Sequence, residues 1–286
     1  MKYVTLNNGV KMPILGYGVF QIPKEETEKC VLDALEVGYR SIDTAQSYFN
    51  EDAVGGALQK SDIPRKELFI TTKIWIDNYG YDKAKASVEE SMKKLKVDYL
   101  DLVLLHQPFS DYYGAYRALE DLYEESKVRA IGVSNFYPDR LSDIAAFNKI
   151  KPQINQVETN PLNQQIEAQK NMEKLGVQIE SWAPFGEGKN DMFDNPTLKE
   201  IAEKRGKSVA QIILRWLTER GVVVIPKSTR IERMRENFAS LDFELTNNEM
   251  ENIAALDTKT SLFFDHQTPE AVDMFLGFIK ERKNRK

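Results

Sequence analysis

Residues 68–106, LFITTKIWIDNYGYDKAKASVEESMKKLKVDYLDLVLLH, hold two short apolar runs separated by a stretch rich in lysine and glutamate. The runs LFITTKI and YLDLVLLH have the length and β-rich composition of strands, and 81–95 between them has the length and amphipathic character of a helix. The segment reads strand–helix–strand. Working outward, the same alternation recurs through ILGYGVF, YRSID, VRAIGVS, PQINQVE, VQIESWA and VVVIPKS, with helices expected over 24–37, 50–60, 114–126, 137–147, 164–175 and 208–219. Gly38 and Gly176 stand where helices end, as left-handed C-terminal residues do. Eight strands and seven helices in strict alternation imply a parallel sheet. Eight such units in ~250 residues match a closed (β/α)8 TIM barrel better than an open sheet.

A doubly wound fold would carry G-x-G-x-x-G after its first strand, but here Gly16 and Gly18 are followed by Gln21. No repeat, low-complexity tract or linker divides the chain, so one domain over 1–286 is expected. Residues 1–12, with LNNG as the turn, predict an N-terminal β-hairpin over one barrel end. The tail from 246 predicts a helix and then SLFFDHQTPEAVDMF, whose aromatics would fold over the opposite mouth.

The 39 lysines and arginines against 44 acidic residues give net −5, which argues against nucleic acid or an acidic membrane as partner. Cys30 is the only cysteine, so no disulfide forms within the chain and a reducing compartment fits. MKYVTLNNGVKMP lacks the apolar core of a signal peptide, and no segment approaches membrane-spanning length. A cytoplasmic protein is expected, and a monomer, since no surface stripe demands association. His106 and His266 are the only histidines and lie far apart, so no metal is expected.

Barrel active sites lie at the C-terminal ends of the strands. Three successive strands end at Asp43, Lys73 and His106, and Tyr48 follows in the loop after Asp43. Neighbouring strands are about 4.8 Å apart, so these groups can meet. Taken singly, the aspartate is a helix cap, the lysine a solvated residue and the histidine part of the core. Their coincidence on one face is harder to dismiss.

GYRSIDTAQSYFNE, LDLVLLHQP and IPKSTRIERMRENF follow in order along the chain. With them the sequence resembles the aldo-keto reductase family, and within it a bacterial group that includes diketogluconate and glyoxal reductases. The resemblance implies a catalytic tetrad of Asp43, Tyr48, Lys73 and His106 and an NADPH/NADP+ cofactor. It assigns Ser134, Asn135 and Gln156 to the nicotinamide amide, and Trp182 to stacking on its ring, with Ala183, Pro184 and Phe185 following. Gly18, Val19 and Asp43 would also border the cofactor. Lys227, Ser228 and Arg233 would hold the 2′-phosphate, Thr229 would also border the cofactor, and Glu236 and Asn237 would face the adenine. Phe20, Tyr48, Trp75 and His106 would meet a small carbonyl substrate. Gln107 and Asn160 depart from residues common among relatives, and the physiological substrate stays open.

The chemistry stands beside the resemblance. Carbonyl reduction needs a hydride at carbon and a proton at oxygen; a phenol with a pKa near 10 can donate the proton, and a nearby ammonium lowers that pKa. Lys73 would do this for Tyr48, Asp43 would hold Lys73, and His106 would orient the carbonyl. Thr229 and Glu232 also fit a capping box at a helix start. The loop 185–196 reads equally as a cover over the pyrophosphate or as a mobile segment. Two other readings are a Schiff-base aldolase using Lys73 and a non-catalytic NADPH-binding sensor or partner subunit.

Overall fold

In the computed structural model, which describes residues 1–284, β1 (Tyr3–Thr5) and β2 (Lys11–Pro13) form an antiparallel hairpin. There follow β3 (Tyr17–Gly18), α1 (Lys24–Val37), β4 (Ser41–Asp43), α2 (Glu51–Lys60), β5 (Phe69–Ile74), α3 (Tyr81–Leu95), β6 (Leu102–Leu105) and α4 (Tyr112–Glu124). Then come β7 (Ile131–Ser134), α5 (Pro138–Phe147), β8 (Ile154–Glu158), α6 (Ile166–Leu175) and β9 (Gln178–Trp182). Two helices, α7 (Pro196–Arg205) and α8 (Val209–Glu219), precede β10 (Val223–Val224). The chain continues through α9 (Ile231–Phe238), α10 (Asn247–Ala254) and α11 (Pro269–Asn284).

Strands β3 to β10 pair in chain order, every pair parallel. Leu15, just before β3, bridges Val224 of β10, and the Gly16 N–H donates to the Val224 carbonyl at 2.8 Å. The sheet therefore curls until its first and last strands meet.

Side-chain alternation along β6 shows how the curled sheet is filled. Val103 and Leu105 join the large cluster that packs against the helices. Leu102 and Leu104 join a second cluster with Phe69, Ile154 and Val223, to which the hairpin adds Leu6 and Met12. Phe69, Leu102, Ile154 and Val223 are the first residues of their strands, so the hairpin plugs the N-terminal end. Each such side chain stabilises the fold by ~1.5–3 kcal/mol relative to exposure. The outer layer is close-packed too. A Cβ on Gly55 of α2 would sit 2.2 Å from the carbonyl oxygen of Lys94 in α3, so only glycine allows this approach.

Two expectations from the sequence need correction. Strict alternation fails between β9 and β10, where α7 precedes α8. Its start is written in the sequence: the Asn195 side chain accepts the Leu198 N–H, Pro196 opens the helix, and Gly206 ends it at φ 60°. Its buried stripe is only Leu198, Ile201 and Ala202, too thin to stand out by periodicity. The first and last parallel strands also have two regular residues each, because the chain leaves both to line the site.

Candidate active site

Gly18, Asp43, His106, Ser134 and Trp182 fall at or next to the C-terminal ends of β3, β4, β6, β7 and β9. They surround a cavity of about 740 Å³ whose wall also includes Phe20, Tyr48, Trp75, Asn135 and Gln156. That is within the usual range for small-ligand sites. A Cβ on Gly18 would come within 2.8 Å of the Ile225 carbonyl oxygen, so glycine is required where these two segments touch. Val19 is fully buried behind the wall, its N–H on the Asp43 carbonyl.

Asp43 caps no helix, since α2 begins at Glu51. Its Oδ1 accepts from Lys73 Nζ, and its Oδ2 accepts from Gln156 Nε2 at 3.1 Å. Lys73 Nζ also donates to the Thr44 carbonyl at 3.1 Å and reaches the Tyr48 hydroxyl at 3.3 Å. The Tyr48 ring lies edge-on to His106, with centroids 5.8 Å apart, and leans on Phe20 at 4.9 Å. His106 Nδ1 is 3.4 Å from the Ser47 hydroxyl, and its ring meets Trp75 edge-on at 5.3 Å.

The electrostatics follow from burial. Burial lowers the His106 pKa well below the usual 6.5, and the Lys73 charge lowers it further, so the imidazole is neutral. Burial also opposes charge on Lys73, but Asp43 and Tyr48 outweigh it and hold the ammonium protonated. For Tyr48 the sequence expectation was a lowered pKa. Burial instead raises it, and Lys73 only offsets part of the rise. A phenolate in this dry wall would cost more than one adjacent cation returns, so the phenol is the resting form.

Residues 14–258 match the model of the Aldo/keto reductase family. The chain belongs to that family. It is 46% identical over 256 residues to the glyoxal reductase of Bacillus subtilis, covering 89% of this chain and 92% of the relative. Against the methylglyoxal reductase DkgA of Salmonella typhimurium, identity is 43% over 257 residues, covering 89% and 93%. An aldo/keto reductase structure from Brucella melitensis superposes with a TM-score of 0.86 at 43% identity, covering 90% of this chain and 99% of that one. The structure of a Bombyx mori aldo-keto reductase in complex with NADP gives 0.88 at 34% identity, covering 92% and 95%.

For an aldo-keto reductase the remaining wall has an intelligible donor set. Ser134 and Gln156 are paired across β7 and β8, and Asn135 follows at φ 64°. Asn135 donates to the His106 carbonyl and to Gln107 Oε1, and accepts from Trp182 Nε1 at 2.8 Å. The half-buried Trp182 ring lies beside Phe263, with Ala183, Pro184 and Phe185 continuing the wall. Around the start of α9, Lys227, Arg230 and Arg233 are exposed, and among the described residues none of them forms a salt bridge. Uncompensated cations at a helix N-terminus suit a phosphate. Ser228 and Asn237 are buried beside them, Thr229 is exposed and Glu236 half-buried.

The expected capping box of Thr229 and Glu232 does not form. The helix starts at Ile231 with no side-chain cap, and Ser228 Oγ accepts the Arg230 N–H instead. The loop 185–196 docks on the tail: Lys189 Nζ donates to the Leu262 carbonyl, and Gly186 lies against the Leu262 side chain. The aromatics of SLFFDHQTPEAVDMF turn to the mouth as expected, with Phe263, Phe264 and Phe275 on the cavity wall. Three contributors have no counterpart in the sequence reading: Glu180 lies beneath the wall beside Gln156, and Phe278 and Arg282 of α11 help close the mouth. His266, noted only as too distant to pair with His106, also lines the cavity. The tail's aromatic content was the available signal, but only folding shows which rings turn inward.

Proposed function

We propose that this aldo-keto reductase is an NADPH-dependent oxidoreductase that reduces small aldehydes or ketones to alcohols, with Tyr48 as general acid. The observation that carries the reading is the buried chain Asp43–Lys73–Tyr48 ending beside neutral His106 on an aromatic cavity. The curled sheet is read as a closed (β/α)8 barrel forming one domain, and one chain is read as the working unit.

NADPH, when bound, supplies the hydride. Ser134, Asn135 and Gln156 would hold its amide, Trp182 its ring, and Lys227, Ser228 and Arg233 its 2′-phosphate. His106, neutral and near Tyr48, donates a hydrogen bond that turns the carbonyl oxygen toward the phenol. Tyr48 gives up its proton to that oxygen as negative charge develops there, and Lys73 then stabilises the phenolate. Phe20 and Trp75 shield the reacting carbon from water. The relatives named glyoxal and methylglyoxal reductase support short dicarbonyl compounds as the first substrates to try.

A Schiff-base role for Lys73 is disfavoured. Its nitrogen is engaged by Asp43, Thr44 and Tyr48, and its pKa is raised, whereas a nucleophilic lysine needs a free amine. The test of the reading is NADPH consumption, followed by absorbance, with a panel of aldehydes, keto-sugars and dicarbonyls. Tight NADPH binding without turnover on any of them would favour a sensor.

A further inference from the structure

Glu180 lies on the same face of β9 as Trp182, two residues earlier, and so one layer beneath the cavity wall. It is fully buried, as are Lys73 and, within 2%, Asp43. A single amide group links the two acids. Gln156 Nε2 donates to Glu180 Oε2 at 3.0 Å and, reaching across the interior, to Asp43 Oδ2 at 3.1 Å. Glu180 Oε1 is buried with no hydrogen-bond partner.

This layer contains two carboxyl groups and one ammonium. Asp43 bonds directly to Lys73 and is matched by it. Nothing comparable faces Glu180: β8 brings the neutral Gln156, and β10, on the other side, brings Val223 and Val224. The charged and titratable groups acting on it are Asp43 on β4, Lys73 on β5 and, after β4, Tyr48. An ionised carboxylate with one amide donor and one bare oxygen is costly in a dry interior, whereas a neutral acid is not.

We propose that Glu180 is a positioning residue of the reductase site whose proton sets the charge around Tyr48. Protonated, it holds Gln156 against Asp43 and leaves the Asp43–Lys73 pair balanced. Once its proton is lost to solvent, an unmatched negative charge stands beneath the site and makes Tyr48 a weaker acid. Burial, followed by the Asp43 charge, pushes the Glu180 carboxyl up to about 8, and the Glu180 charge is among those that raise Tyr48. The change therefore falls within the working range of an enzyme.

The inference about rate rests on the proposed reductase function; that about the proton does not. The first experiment is the pH profile of kcat for the wild type and Glu180→Gln. In the variant the ratio of kcat at pH 6.5 to that at pH 9 should drop by at least about threefold, because the isosteric amide cannot ionise. Equal ratios would overturn the tuning role. The second is infrared difference spectroscopy of the cofactor-free wild type between pH 6 and pH 9. The band of a buried protonated carboxyl should be lost on the alkaline side and be missing from Glu180→Gln at both pH values. Wild-type protein without that band at pH 6 would overturn the assignment whether or not the variant folds or any carbonyl is reduced.

Discussion

Lys73 Nζ lies 3.3 Å from the Tyr48 hydroxyl, while the same nitrogen is bonded to Asp43 and to the Thr44 carbonyl. Its three hydrogens are thus committed inside the protein. The ammonium cannot turn to solvent, and its field acts where a phenolate would form.

Tyr48→Phe removes the proton donor and keeps the ring that packs on Phe20. Its kcat for carbonyl reduction should fall by on the order of 10²–10⁴. NADPH affinity, measured by tryptophan fluorescence, should stay at the wild-type value. Near-normal turnover would take the acid role away from Tyr48.

Lys73→Met strands the Asp43 carboxylate in the interior. The variant should lose about 3–5 kcal/mol in urea unfolding, the cost of one unmatched buried charge. Adding Asp43→Asn should restore part of that loss. A double variant no more stable than Lys73→Met would mean that the pair is not coupled.

Arg233→Ala tests the phosphate end. A lost charge-assisted contact should weaken NADPH binding by on the order of tenfold or more and leave NADH unchanged. Parallel losses for the two cofactors would place the arginine elsewhere than on the 2′-phosphate.

His266 sits among Phe109, Phe264 and Phe275 with neither ring nitrogen bonded. Burial lowers its pKa from 6.5 to about 4. The unfolded chain therefore binds a proton below about pH 6.5 that the folded chain refuses until about pH 4. The His266 contribution to stability is complete above this window and declines as pH falls through it. His266→Phe should make that acid-side decline in Tm shallower, while His106, also held neutral by burial, continues to contribute. Identical slopes for variant and wild type would show that His266 is not buried neutral.

Much of this was legible beforehand because the signals are local. LFITTKI and YLDLVLLH could be placed from run length, and β5 and β6 fall inside them. Asp43, Lys73 and His106 could be assigned to one face because parallel strands share a direction, and the face follows from that alone. Less legible were α7, whose apolar stripe is thin, and the start of α9, where Arg230 rather than Thr229 stands at the N-cap and no side chain caps the helix.

By itself, the order of residues determined which strands neighbour one another and which polar groups gather at their ends, since both depend on short-range periodicity and chain direction. Folding alone decided the ionisation of those groups. The Tyr48 pKa goes up rather than down, and Glu180 acquires a role, because desolvation depends on what surrounds a side chain in three dimensions. The reach of Gln156 across the interior to Asp43, 113 positions apart, has no counterpart in any local pattern.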